Sequence, residues 1–143
     1  MIMENAPQLE LAAVDGQSPR RVLICDDDVV QREVLAHVLR NNGFETVDTG
    51  LGGECLRFAA SEPISALLLD IDLPDANGLE ICEELSDAEG TQQLPIILIS
   101  GMHREDLVRS ARRKGARFFL QKPYDPAAVI ALLERALDES SLW

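Results

Sequence analysis

Polar side chains follow four apolar runs of this 143-residue chain, each at the point where the run ends. In chain order they are Asp26, Asp27, Asp28, Asp70, Ser100 and Lys122. Carboxylates held close together repel one another unless a cation joins them, and their oxygens suit Mg²⁺, which completes its shell with phosphate oxygens. A carboxylate beside such an ion can attack a phosphoryl donor and become an acyl phosphate, while an ammonium and a hydroxyl stabilise the transferred oxygens. The residue types therefore indicate phosphoryl chemistry, provided that the fold brings them together.

Five apolar runs predict five β-strands. They are RVLIC (21–25), FETVDT (44–49), ISALLLD (64–70), IILIS (96–100) and RFFLQ (117–121). The third and fourth runs are nearly all apolar, which is typical of strands covered on both faces of a parallel sheet. The second run is more polar and predicts a partly exposed strand.

Helical patterns fill the intervals after these runs. They predict helices at about 30–41, 53–60, 79–88, 104–114 and 125–138. Gly43 supplies the left-handed residue after the first helix, the fourth stops at Gly115, and Asp125 followed by proline is typical of a helix start. Strands that alternate with helices predict an α/β fold with one parallel sheet and helices on both faces. Ligands of such sheets lie outside the carboxyl ends of the strands, where the polar residues above converge.

Four motifs, RVLICDDD, LLLDIDLPDANGLE, ILIS and FFLQKP, resemble in order and spacing the receiver domains of two-component response regulators. The resemblance covers about residues 20–138 and implies a doubly wound (βα)5, flavodoxin-like sheet with strand order 2-1-3-4-5. It also implies phosphorelay signalling, in which the domain takes a phosphoryl group from a sensor histidine kinase or a phosphotransfer protein. Such a domain is not an enzyme in the usual sense, since it catalyses only its own phosphorylation and dephosphorylation.

The resemblance implies a metal site built from four aspartates. Asp26 and Asp27 match the family's acidic pair, with Asp27 favoured as the direct metal ligand. Asp70 matches the phosphoacceptor and also contacts the metal, and the main-chain carbonyl of Asp72 completes the metal shell. The expected ion is Mg²⁺, for which Mn²⁺ could substitute.

The same resemblance implies a switch. Ser100 matches the hydroxyl residue that binds the phosphoryl group, Lys122 matches the family's lysine, and Phe119 holds the position of the switch aromatic. The bond before Pro123 is commonly cis in the family. Phosphorylation is then expected to reshape the surface of the fourth helix, fifth strand and fifth helix, which controls a downstream target protein or an output domain.

Two departures from the family pattern bear on the chemistry. Phe119 replaces the commoner tyrosine and lacks the hydroxyl that could form a hydrogen bond after turning inward. Asp72 carries a carboxylate where many relatives have an apolar or amide group. With Met102, it flanks the path of hydrolytic water in the family, so we hypothesise that the pair tunes the lifetime of the phosphorylated state.

Composition limits the partners and the compartment. The formal net charge of -12 argues against nucleic acid or an anionic membrane as the main ligand. Cys25, Cys55 and Cys82 lack paired spacing, and no signal or membrane-spanning pattern is seen, so we expect a reducing, cytoplasmic location.

The basic residues are unevenly distributed. Six of the 13 lie between positions 104 and 117, on and after the fourth helix. A solvated helix face with favourable end charges and a partner-binding surface both fit this cluster.

The ends of the chain leave the output open. We expect residues 1–19 to form a flexible extension and residues 139–143 a tail around the receiver domain at 20–138. The chain is then either a stand-alone receiver or a module of a longer protein, and the resemblance also allows a homodimer that forms on phosphorylation.

Two other classes of protein share part of this pattern. A haloacid-dehalogenase-type phosphatase would explain Asp70, Asp72 and Lys122, but that family places its acidic pair after the lysine, whereas here Asp26 and Asp27 precede Asp70. A receiver-like adaptor that works without phosphorylation usually lacks one of the acid pair, acceptor or lysine, and this sequence has all of them.

Overall fold

The computed structural model describes residues 20–102 and 104–141. The predicted extension at 1–19 and the end of the predicted tail, 142–143, lie outside the described residues. Within the described part, the chain forms one five-stranded sheet with five helices, which confirms the predicted α/β architecture.

The strands lie where the apolar runs predict them. Their bounds are Arg21–Cys25 (β1), Glu45–Thr49 (β2), Ala66–Asp70 (β3), Ile96–Ser100 (β4) and Phe118–Gln121 (β5). Their order across the sheet is β2-β1-β3-β4-β5 and every neighbouring pair is parallel, as predicted. The carboxyl ends of β1 and β3 are therefore neighbours at the point where the strand order reverses.

The helices agree with the predicted positions to within a few residues. Their bounds are Val29–Asn41 (α1), Gly52–Ser61 (α2), Gly78–Asp87 (α3), Glu105–Arg113 (α4) and Pro126–Ser141 (α5). Helix α5 continues past its predicted end at 138, where no glycine or proline follows to stop it. In the part of the chain that the structure describes, none of these helices is long and apolar enough to cross a bilayer.

Two apolar cores lie on opposite faces of the sheet, because successive residues of each strand point to opposite sides. Leu67 and Leu69 of β3 pack toward α2, α3 and α4, whereas Ala66 and Leu68 pack toward α1 and α5. Every residue of β3 and β4 is buried, which confirms that both faces of these strands are covered. The three cysteines are buried and free, and they pack in the first of these cores.

Local caps set where the helices near the carboxyl edge begin and end. The Asp28 side chain accepts a hydrogen bond from the Gln31 amide at 3.1 Å, and Asn77 accepts one from the Leu79 amide at 2.8 Å. Gly43 and Gly115, with φ of +90° and +105°, end α1 and α4 as predicted. Asp28 is therefore a helix cap, which leaves Asp26 and Asp27 as the acidic pair after β1.

Candidate functional site

Three of the predicted acidic residues come together at the carboxyl edge of the sheet. One carboxylate oxygen from each of Asp26, Asp27 and Asp70 lies within 4.8 Å of the other two. Asp26 and Asp70 are 5% and 4% exposed, whereas Asp27 is open to solvent. Two of the three carboxylates are therefore buried, and solvent reaches the cluster from the side of Asp27.

The ammonium of Lys122 lies between the two buried carboxylates. Its Nζ donates a hydrogen bond to Oδ2 of Asp70 at 2.9 Å and is 3.1 Å from Oδ2 of Asp26. Burial works to lower the pKa of Lys122, but its hydrogen bonds to Asp70 and Asp26 outweigh burial and raise the pKa above its usual value. Burial raises the pKa of Asp70 above its usual range, although Lys122 opposes this shift. Lys122 therefore stays charged at neutral pH and partly neutralises the buried acids.

Backbone amides hold the other oxygens of the same carboxylates. Oδ1 of Asp26 accepts from the Asp28 amide at 2.9 Å, and Oδ1 of Asp70 accepts from the Asp72 amide at 3.2 Å. In each of these side chains, one carboxylate oxygen contacts the Lys122 ammonium and the other accepts a hydrogen bond from a backbone amide. These contacts keep each carboxylate in one orientation. The Lys122–Pro123 bond is cis, as the resemblance implies.

Ser100 is the last residue of β4 and is 1% exposed. Its hydroxyl oxygen accepts a hydrogen bond from the Met102 amide at 3.0 Å, and its carbonyl accepts one from the Lys122 amide at 2.8 Å. Asp70 lies opposite the preceding residue, Ile99, in the pairing of β3 with β4. The structure therefore places the serine beside the acceptor strand end and ties its loop to the lysine.

Phe119 lies three residues before Lys122 on β5. Its ring is half-buried and packs against the core under α2, α3 and α4. The same ring also lines a groove of about 230 Å³ between α4 and β5. One side chain thus faces both the core and the surface on which the resemblance places the output.

The loop after Asp70 returns tightly to the site. Gly78 starts α3 against the main chain, and a Cβ at this position would clash with the carbonyl of Asp70. Asp72 pairs with Asn77 across this loop, and its side chain is exposed. Among the described residues, the Asp72 side chain is not part of the three-carboxylate cluster.

Sequence reasoning missed three residues that contact or support the site. Arg32 of α1 donates from Nη1 to the carbonyl of Asp26 at 2.8 Å and pairs through Nε with Asp48 at 2.9 Å. Asp75 accepts hydrogen bonds from the amides of Gly52 and Gly53 at 2.8 and 3.1 Å, which lower its pKa.

The third missed residue is Tyr124, which directly follows the Lys122–Pro123 pair. Burial, with the nearby negative charge of Asp26, raises the pKa of its hydroxyl. Only its position next to the predicted lysine could have singled it out from the sequence.

The donor set fits a hard divalent cation. Three carboxylates approach one another closely, and oxygen ligands of this kind bind Mg²⁺ or Ca²⁺ in proteins. One lysine ammonium cannot neutralise three acidic groups, so the cluster retains negative charge that a cation would balance. The cluster is therefore compatible with binding of a divalent metal ion.

Comparison with known proteins agrees with this geometry. Residues 22–134 match the family model described as the response regulator receiver domain. The two-component response regulator ORR11 of Oryza sativa is 30% identical over 87% of this chain and 86% of its own length. The transcriptional regulatory protein PdtaR of Mycobacterium tuberculosis is 32% identical over 86% of this chain, which spans 59% of that protein.

Solved structures give the same result. A CheY-like response regulator receiver domain protein from Methanospirillum hungatei superposes with a TM-score of 0.82 at 27% identity, covering 87% of this chain and 98% of that one. The strand order, the acidic cluster and the family match all agree. The chain therefore belongs to the family of response regulator receiver domains of two-component signalling.

Proposed function

We propose that this domain accepts a phosphoryl group on Asp70 and transmits the change to a partner. The observation that carries the proposal is the packing of Asp70, 4% exposed, against Asp26 and the ammonium of Lys122 at 2.9 Å, with Asp27 open to solvent beside them. The carboxylate of Asp70 is held in one orientation by its contacts, and a phosphoryl donor can approach it from the open side of the cluster. The ammonium of Lys122, together with a cation held by the acidic cluster, would complement the negative charge of a phosphoryl group in transfer.

The proposed metal ligands are the carboxylates of Asp26, Asp27 and Asp70 and the main-chain carbonyl of Asp72. Mg²⁺, or Mn²⁺ in its place, would supply positive charge for the phosphoryl oxygens when bound. The amides of Asp28 and Asp72 hold Asp26 and Asp70 in place at 2.9 and 3.2 Å.

In the proposed reaction, a carboxylate oxygen of Asp70 forms a bond to phosphorus. The bond from phosphorus to the donor's nitrogen or oxygen breaks, and the leaving group takes the electron pair and then a proton. Lys122 exchanges its contact with the ionised carboxylate for contacts with the phosphoryl oxygens. Hydrolysis of the acyl phosphate by water returns the carboxylate and releases phosphate, so the domain acts catalytically only on itself.

The proposed donor is a sensor histidine kinase or a phosphotransfer protein that docks beside the acceptor. Helix α1 starts directly after the acidic pair, and its residues Val30 and Val34 are 68% and 51% exposed. With Pro123 and Tyr124 they line a cavity of about 180 Å³ next to Lys122. An exposed apolar face at this place supports protein docking, since such patches mark interaction sites.

The proposed switch runs from Ser100 to Phe119. Phosphoryl oxygens would accept a hydrogen bond from the Ser100 hydroxyl, whose oxygen at present accepts one from the Met102 amide at 3.0 Å. An inward shift of Ser100 would make room for Phe119 and reshape the surface of α4, β5 and α5. The two states differ in contacts, as any ligand-driven shift requires.

That surface would control a downstream protein or output domain, or pair with a second copy on phosphorylation. A cytoplasmic location is part of the proposal, supported by the family and by three reduced, buried cysteines.

Intact-mass measurement after incubation with acetyl phosphate tests the proposal. The native chain should gain one phosphoryl group, about 80 Da, with Mg²⁺ and not without it, and Asp70→Asn should gain none. Asp87→Asn, which changes an exposed aspartate at the C-terminal end of α3, is the matched control and should gain the group.

Two other outcomes would replace the proposal. No mass gain under any condition would favour an adaptor that works without phosphorylation. Steady release of phosphate from unrelated phosphoesters would favour a phosphatase.

Asp72 and Met102 are proposed to set the lifetime of the acyl phosphate. Both side chains are exposed near the site, and Met102 is 51% exposed. We expect Asp72→Asn and Met102→Ala to change the rate at which the added mass is lost by about two- to tenfold. Unchanged rates in both variants would exclude this role.

A further inference from the structure

A strip of positive charge runs along α4 of a chain that is otherwise acidic. Residues 104–117 carry six of the 13 basic residues and only two acidic ones, although the whole chain has a net charge of -12. A helix C-terminus favours cations, which accounts for Arg112 and Arg113 in the last turn. It does not account for Arg109, which lies a turn earlier.

The arginines of this strip differ in what they contact. Arg104 and Arg109 form long contacts with Asp106 and Glu105 at 3.6 and 3.9 Å, between side chains that are mostly exposed. Such exposed pairs contribute little and are easily exchanged. Arg112 and Arg113 make no ion pair with any residue of the described ranges 20–102 and 104–141.

Arg112 lines two neighbouring surface grooves. One is the groove of about 230 Å³ between α4 and β5, whose lining includes Val108, Ala111, Ala116 and Phe119. The other, of about 310 Å³, lies along α4 and is lined by Glu105, Val108, Arg109 and Arg112. Apolar walls thus lie directly beside guanidinium groups.

Resting on the proposed function, we infer that this α4–β5 groove binds a short acidic segment of a partner protein. Carboxylates of the segment pair with Arg109 and Arg112, and an apolar side chain of the segment enters the groove against Val108 and Phe119. Arginine forks suit carboxylates, and an arginine beside an apolar pocket is typical of the residues that dominate interfaces.

The charges around the strip favour a protein segment over other anions. Glu105 and Asp106 lie at one end of α4, and Glu134 is exposed on α5 on the other side of β5. A nucleic acid duplex or an anionic membrane needs many basic contacts over a wide face. A narrow strip between acidic residues instead matches a single extended or helical segment.

Phe119 connects this groove to the proposed switch. Its ring forms part of the groove wall and also packs against the core under α2, α3 and α4. Movement of Phe119 would change the shape of the groove, so phosphorylation at Asp70 would alter the affinity for the segment.

Selection from a displayed library of random short peptides tests the inference. The full chain is the target, both unmodified and after treatment with acetyl phosphate and Mg²⁺. We expect the enriched peptides to be acidic with at least one large apolar residue. Synthetic labelled copies should bind at least about tenfold more weakly to Arg112→Glu and also more weakly at higher salt.

Arg113→Glu is the matched control, since it makes the same charge change in the same helix turn at a residue that lines neither groove. It should weaken binding by no more than about twofold. Arg112→Gln gives a milder second variant with a smaller loss in the same direction.

Several results would overturn the inference. They are no enrichment, enrichment of neutral or basic peptides, or equal losses in the Arg112 and Arg113 variants. A short DNA duplex or phosphatidylserine vesicles that bound more tightly than the peptides through Arg112 would identify a different partner, and so would Arg112-dependent self-association in sedimentation.

Mass gain with acetyl phosphate separates the proposals: normal gain without peptide binding rejects this inference alone, whereas absent gain in the native chain rejects the proposed function.

Discussion

The two charged regions of this molecule, the carboxyl edge of the sheet and the strip along α4, are built in opposite ways. At the edge, Asp26 and Asp70 are 5% and 4% exposed and share the ammonium of Lys122. Along α4, the guanidinium of Arg112 extends into solvent and has no ionic partner among the residues that the structure describes.

The contrast follows from the cost of burying a charge. An ion taken out of water must be paired and hydrogen-bonded, so the edge must be organised before any ligand arrives. An exposed ion needs no partner within the chain and remains available for one outside it. Strand β5 joins the two regions, because Phe119 and Lys122 lie three residues apart.

Replacing Lys122 by alanine should give the largest effect. Two buried carboxylates would face each other without the ammonium, so we expect the free energy of unfolding to fall by about 2–4 kcal/mol at pH 7. Transfer from acetyl phosphate should slow by about a hundredfold or more, because one charge-stabilising donor is lost. Urea denaturation and intact-mass time courses measure the two effects.

Lys114→Ala is the surface counterpart. Lys114 pairs with Glu83 at 3.2 Å, and the Glu83 side chain is half exposed. Removing the Lys114 ammonium should therefore lower the free energy of unfolding by no more than about 1 kcal/mol. Added Mg²⁺ should stabilise Lys122→Ala more than the native chain, since a cation can replace the ammonium. Equal stability of the two lysine variants would show that the buried acids do not depend on Lys122.

Replacing Arg32 by alanine tests whether the edge is organised from outside the cluster. Arg32 holds the carbonyl of Asp26 at 2.8 Å, and a Cβ on Gly50 would meet its Nη1 at 2.8 Å, so the guanidinium is closely packed. We expect the affinity for Mg²⁺, measured by isothermal titration, to fall by about tenfold.

The control for Arg32 is Arg40→Ala on the same helix. Arg40 donates to the Thr46 hydroxyl at 3.0 Å, far along the chain from the acidic pair, and its loss should leave the Mg²⁺ affinity unchanged. Equal affinities in all three proteins would mean that the loop holds its shape without Arg32.

Most of the fold and the members of the cluster could be predicted from the sequence, because both depend on local patterns. The runs that end at Cys25 and Asp70 are almost entirely apolar, and parallel strands bring their carboxyl ends to one edge. Asp26, Asp70 and Lys122 each follow or end such a run, so their meeting needed only the strand order.

The supporting residues could not be predicted, because their partners are distant in the chain. Arg32 has the sequence pattern of a solvated helix residue, and only the packing of α1 against β2 brings it to Asp48. Asp75 lies in a loop rich in turn residues, while its partners, Gly52 and Gly53, are more than 20 positions earlier. The hydrophobic periodicity of a sequence gives no information on such long-range side-chain contacts.

Replacing Asp75 should give the smallest effect. This carboxylate combines features of both charged regions, because it is exposed like the arginines of α4 and hydrogen-bonded like the acids of the carboxyl edge. The amides of Gly52 and Gly53 lower its pKa, so its ionised form is favoured in the folded chain. Its contribution to stability is then present above the unfolded pKa of about 3.9 and is lost as the pH falls through the lower folded value. Asp75→Asn should therefore unfold at a slightly lower urea concentration than the native chain at pH 7, with the difference vanishing in strong acid.

Glu89→Gln is the control for this last measurement, because Glu89 is exposed and makes no hydrogen bond within the described residues. Its midpoint should follow the native one at every pH. A constant difference between Asp75→Asn and the native chain from neutral to acidic pH would mean that the side-chain shape, and not its charge, holds the start of α2. In that case, the charge of this exposed aspartate would add nothing to stability, in contrast to the buried charges of Asp26 and Asp70 at the carboxyl edge.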